Sequence, residues 1–130
     1  MVVTTFTLKG VPRTKKNSQS VITNQRTGRP MIIQSKAYRE YEKECLEQIR
    51  GLGLDRMNID FPVNVMCLFF MPTKRKVDLQ NLVSAAMDIL VKGGVLEDDN
   101  CTIVYGNDGS RVLFDKDNPR TEVIIRDNRI

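Results

Sequence analysis

The chain reads as an α+β protein, two main helices packed on a small mixed sheet or an antiparallel one, on three observations. Only two stretches carry the 3-and-4 apolar spacing of an amphipathic helix, short strand-like runs come before, between and after them, and no repeat or low-complexity tract interrupts the pattern. At 130 residues, 41% apolar and 28% charged, the balance is that of a globular chain, and one domain over residues 1–130 is expected.

The elements follow in order. Val2 to Lys9 alternates in a strand-like way and stops at Gly10-Val11-Pro12, which suits an edge or near-edge strand. Pro12 to Ser20 is polar, basic and aperiodic, hence a surface loop. Val21-Ile22-Thr23 and Met31-Ile32-Ile33 flank a turn at Gly28 and predict a hairpin. Between Ser35 and Arg50, Tyr38, Tyr41, Cys45, Leu46 and Ile49 define a helix face, with Ser35 as N-cap and Gly51 beyond the end; the two tyrosines are read as core. Phe61 to Met71 is the longest apolar run and predicts a buried central strand stopped by Pro72. Asp78 N-caps a second helix from Leu79 to about Lys92, ended by Gly93-Gly94. Residues 102–105, 111–114 and 122–126 predict three short strands, separated by turns at Gly106-Asn107-Asp108-Gly109 and Asp115–Pro119.

Composition removes whole classes of chemistry. There is no histidine, which excludes Ser-His-Asp and Cys-His nucleophiles and His-ligated zinc. Cys45, Cys67 and Cys101 are odd in number, widely spaced and set in apolar patterns, so they are expected to be reduced core residues. No apolar run approaches the roughly 18 residues of a membrane helix, and the first residues lack a basic, then apolar, leader. The expectation is therefore a cytoplasmic protein with neither a membrane nor a small-molecule substrate as partner. Any catalysis must run on carboxylates, lysines or bound metal.

The net charge of +4 is unevenly spread. Residues 1–35 hold Lys9, Arg13, Lys15, Lys16, Arg26 and Arg29 and no acid, and Lys74-Arg75-Lys76 forms a second basic block. Residues 78–109 carry Asp78, Asp88, Glu97, Asp98, Asp99 and Asp108 against Lys92 alone. Such alternation suits a phosphate polymer gripped by cations around a carboxylate site. It also suits ordinary solvated charge.

Geometry sharpens the first reading. A helix over 79–92 is about 20 Å long at 1.5 Å per residue, and an extended return from Gly94 to Asp99 also covers about 20 Å, so Asp99 can come back beside Asp78. Two like charges about 4 Å apart repel by about 4 kcal/mol at an effective dielectric of 20, which invites a hard cation. Oxygen ligands without His or Cys select Mg²⁺ or Mn²⁺. The same residues would also serve as a helix cap and a solvated turn. Asp88 lies roughly 15 Å up the helix from Asp78, on nearly the same face as Asn81, where it can orient or ligate or simply face water.

The run Lys74-Arg75-Lys76-Val77-Asp78-Leu79-Gln80-Asn81-Leu82, with Ala85-Ala86-Met87-Asp88-Ile89-Leu90, Lys92-Gly93-Gly94-Val95 and Asp98-Asp99, resembles the RusA family of Holliday junction resolvases. So do the loop Pro12-Arg13-Thr14-Lys15-Lys16-Asn17-Ser18 and the segment Asp115–Arg120. The resemblance implies a homodimeric, Mg²⁺-dependent endonuclease that binds four-way DNA junctions and nicks opposed strands symmetrically. Its essential carboxylates fall at Asp78, position 80 and Asp99; position 80 is Gln80 here, and a lysine of the pattern falls at Ser84. The expected catalytic residues are Asp78, Asp99 and Lys76, with Asp98 and Asp88 as further metal ligands. Gln80 and Asn81 are expected to support them, and Arg13, Lys15, Lys16, Asn17, Lys74, Arg75 and Lys76 to hold DNA. The alternative is a branched-DNA-binding protein of the same fold whose catalysis is weakened or lost through Gln80 and Ser84.

Overall fold

The structure, a computed structural model, describes residues 1–15, 19–23 and 25–127, and for 19–23 and 30–34 the backbone alone. Strand β1 (Val2–Lys9) leads into a separate antiparallel ladder of β2 (Gln19–Thr23) and β3 (Pro30–Gln34), then α1 (Lys36–Gly51), β4 (Val63–Met71), α2 (Leu79–Lys92), β5 (Val104–Gly106), β6 (Arg111–Phe114) and β7 (Arg120–Asp127). The main sheet is mixed and five-stranded. β1 pairs antiparallel with β7 and β7 antiparallel with β4, while β5 and β6 lie end to end along the other edge of β4, both parallel to it.

Alternation on β4 explains the layering. Val63, Val65, Cys67 and Phe69 are buried while the residues between them are partly open, so one face of the sheet receives both helices. Tyr38, Tyr41, Cys45 and Ile49 of α1 and Leu82, Ala85, Ile89 and Leu90 of α2 close that core. The tyrosines are core residues, as their spacing predicts. Ser35 caps α1 by accepting from the Tyr38 amide at 3.2 Å, and Gln48 clamps the end of β1, accepting from Lys9 N at 2.7 Å and donating to Lys9 O at 2.9 Å.

Several boundaries differ from expectation for local reasons. Gly51 is the last residue of α1 and Leu52 caps it. The strand expected from Thr102 starts at Val104, because the amides of Ile103 and Val104 both donate to Asn100 O, at 3.0 and 2.8 Å, and wind residues 101–103 into a turn. Gly106 belongs to β5, and β7 begins at Arg120 rather than Glu122. Nor is the basic loop all surface, since Pro12 and Thr14 are buried while Arg13 is exposed.

Cys101 corrects the reading of the cysteines as uniformly core: Cys45 and Cys67 are buried, whereas Cys101 stands exposed in the 101–103 turn. Burial pushes the Cys45 thiol up to about 11 and the Cys67 thiol up to about 12, so neither is nucleophilic near neutrality. A disulfide reagent at pH 8 is therefore expected to modify one thiol of the native protein and all three after denaturation. Fast native reaction of a second thiol would contradict this packing.

Candidate functional site

The start of α2 organises the site. Asp78 keeps extended backbone angles and its side chain accepts from the Asn81 amide at 3.2 Å, satisfying one of the helix's free N–H groups. Along the first turns, Leu79, Gln80 and Ser84 form one wall of a cleft of about 460 Å³, and Asp99 stands on its rim. Asp99 reaches this place because the chain returns along the 58–59 connector after α2: Asn58 N donates to Gly94 O at 2.8 Å, Ile59 N to Val95 O at 2.9 Å and Glu97 N to Ile59 O at 3.0 Å. Three backbone hydrogen bonds thus bring an acidic turn back to the first turns of α2.

The opposite wall is Asn107 and Ser110, from the turn that separates β5 and β6. Asn107 Nδ2 donates to Val65 O at 2.9 Å and Ser110 Oγ accepts from Cys67 N at 3.0 Å. These side chains satisfy β4 backbone groups where the edge ladder is broken, which fixes the turn against the sheet. The Gly-Asn-Asp-Gly signal identifies a turn in the sequence, but nothing in it announces a cleft wall.

The acidic residues are not equivalent. Asp98 accepts from the Asp99 amide at 2.7 Å and from Asn100 Nδ2 at 2.9 Å, and these bonds hold its carboxyl below the usual carboxylate range. Asp99 is pushed the other way, first by partial desolvation, then by proton sharing with Asp98, with smaller contributions from the charges of Asp88 and Asp98. Asp88, one residue beyond Met87 of the cleft lining, pairs with Lys15: Nζ to Oδ2 is 2.5 Å.

A second groove, of about 420 Å³, adjoins the chain entering α2 and brings together Arg13, Arg75 and Lys76. Two basic blocks some sixty residues apart in sequence therefore meet on one surface. Lys74 instead lies over the ring of Phe114, 5.4 Å from its centroid, and Phe114 is itself 47% exposed. Lys16 and Asn17 lie outside the described residues.

Among the described residues no three Asp, Glu, Cys or His side chains converge as a metal cage. Magnesium does not require one, being commonly held by one or two carboxylates with water and substrate phosphate completing the shell. The Asp99 carboxyl and the Gln80 side-chain oxygen share one cleft and fit a hard cation of that kind; Met87 also lines the cleft, and Asp78, which caps the helix next to it, does not. Also among the described residues, no helix is long and apolar enough to cross a membrane.

Compared with known proteins, residues 9–126 match the model of a family described as Endodeoxyribonuclease RusA, nearly the whole chain. No curated protein sequence matches it.

Proposed function

Since the chain belongs to the RusA endodeoxyribonuclease family, we propose that it is a divalent-metal-dependent endonuclease that resolves four-way DNA junctions by paired symmetric nicks, acting as a two-fold homodimer. The family is one of Holliday junction resolvases acting on branched DNA. The observation that carries the finer reading is the cleft where Asp99 meets Gln80 beside the groove shared by Arg13, Arg75 and Lys76. A two-fold junction calls for an isologous protein pair, one acidic cleft per nicked strand.

In this reading Arg13, Arg75 and Lys76, with Lys15, Lys16, Asn17 and Lys74, hold backbone phosphates, contacts that position DNA without reading its sequence. Asp99 and Asp78, with Asp98, Asp88 and the Gln80 carbonyl as further oxygen donors, would hold Mg²⁺ or Mn²⁺. The bound ion supplies Lewis-acid neutralisation at the scissile phosphate and an acidified water. Lys76 offsets negative charge that develops on the phosphate oxygens. The cap bond from the Asn81 amide orients Asp78, and a carboxylate so fixed loses less entropy on ligation.

One observation favours a second reading, that of a branched-DNA-binding protein with weakened cleavage. Gln80 and Ser84, both neutral, line the cleft at positions where the family pattern carries a carboxylate and a lysine. A labelled synthetic four-way junction incubated with Mg²⁺, beside linear duplex and flap controls, separates the two. Junction-selective nicking supports the resolvase. Tight junction binding without cutting in Mg²⁺ or Mn²⁺ supports the binding protein, and equal cutting of linear duplex excludes both.

Two further outcomes are expected. Gln80→Asp, by adding a second charged ligand to the cleft, should lower the Mg²⁺ concentration needed for half-maximal nicking or raise the rate, and reduced nicking would show that glutamine has its own role. Lys15→Ala combined with Lys16→Ala should weaken junction binding and flatten its salt dependence by about one to two units of logarithmic slope. An unchanged slope would remove this loop from the interface.

A further inference from the structure

Lys15 and Asp88 face two ways at once. Lys15 sits two residues from Arg13 of the phosphate groove, and Asp88 sits one residue from Met87 of the acidic cleft. Their 2.5 Å ion pair ties the basic loop to the middle of α2, with side chains only 27% and 36% exposed. At such exposure the pair is only partly screened by solvent, yet a competing anion can still reach the lysine.

We propose that this ion pair is a latch coupling DNA-backbone binding to divalent-cation binding: a strand phosphate that captures Lys15 leaves the Asp88 carboxylate unneutralised beside the Asp99 cleft, which then holds a cation more tightly. The proposal rests on the functional reading above and names the device that links its two halves. In the free protein the Lys15 ammonium offsets part of the charge of Asp88 at the edge of the cleft. With Lys15 on a phosphate, Asp88, one helical turn beyond Ser84 of the cleft that Asp99 lines, acts on that cleft unneutralised, and like charges so placed are relieved by a cation. Linkage makes the effect reciprocal, so the cation also favours the state in which Lys15 is released to DNA.

The latch is testable without turnover, by counting Mn²⁺ bound to the DNA-free protein through its electron paramagnetic resonance signal. Lys15→Ala is expected to tighten Mn²⁺ binding about fivefold or more, within the usual range of coupling between sites. In an Asp88→Asn background the same substitution should change nothing, because Lys15 acts only through Asp88. In an Asp88→Glu background, which keeps the charge, the gain should persist and also confirms that position 88 tolerates substitution. Arg13→Ala, which removes an equal charge from the same loop without touching Asp88, should give a much smaller gain. Unchanged Mn²⁺ affinity in Lys15→Ala, or an equal gain with Asp88→Asn present, overturns the latch. Failure of the wild-type protein to bind branched DNA would instead sink the functional reading and leave the Mn²⁺ result standing by itself.

Discussion

Asp99→Asn is expected to cut the rate of junction nicking by about a hundred- to a thousandfold, the usual loss when one preorganised electrostatic group is removed from an active site, while leaving junction affinity nearly unchanged. Asparagine keeps the shape and one carbonyl oxygen and removes the charge, and Asp99 is the acidic residue that lines the cleft with Gln80. Asp78→Asn should behave likewise, with an internal control: asparagine is as good an N-cap as aspartate, so the bond to the Asn81 amide and the helix should survive. Single-turnover cleavage of a labelled junction in Mg²⁺, beside a gel-shift titration, reads both effects. Near-normal nicking by either variant would strike that carboxylate from the site.

Gly94→Ala is expected to be the most destabilising single-methyl addition in the return segment. Gly94 sits at φ +82°, and a Cβ there would collide with the backbone carbonyl of Asp55. A left-handed alanine costs about 1–2 kcal/mol. Relieving the collision would also separate 94–97 from 58–59, where each lost backbone bond costs about 0.5–1.5 kcal/mol. With the three bonds of that pairing lost, the sum, about 2.5–6.5 kcal/mol, is a large fraction of the roughly 5–15 kcal/mol that holds a typical domain folded. Because those bonds also deliver Asp99 to the cleft, nicking should fall even where the variant remains folded. Chemical denaturation and the nicking assay, run below the unfolding midpoint, test the two parts separately. A stability loss below about 1 kcal/mol would show that the 55–58 segment yields more easily than the contact implies.

The two helices were legible because their evidence is local. Ser35 and Asp78 are caps, the 3-and-4 spacing marks one apolar face, and α2 begins and ends where these signals fall. The central position of β4 was legible too, since the unbroken apolar run of seven residues from Val65 to Met71 requires cover. The course of residues 101–106 was less so. There Asn100 captures the next amides, that of Thr102 through its side chain and those of Ile103 and Val104 through its carbonyl, and displaces the strand by two residues, a competition between turn and ladder hydrogen bonds that apolar pattern does not report. The burial of Pro12 and Thr14 and the exposure of Cys101 escaped for the same kind of reason: each depends on what packs above it.

The site divides along the same line. The residue types, oxygen donors without histidine and two basic blocks around an acidic one, are properties of composition and order, and they admit both metal-assisted phosphate chemistry and ordinary solvated charge. Which of those residues meet is a matter of long-range contact. Arg13 joins Arg75 and Lys76 in one groove, Lys15 is drawn onto Asp88, and Asp99 is set against Gln80, Asn107 and Ser110. The last of these meetings depends on the pairing of 94–97 with 58–59 and on the broken edge of β4, interactions between segments far apart along the chain. Charge and spacing can permit such encounters; only the closed sheet with its helices selects among them.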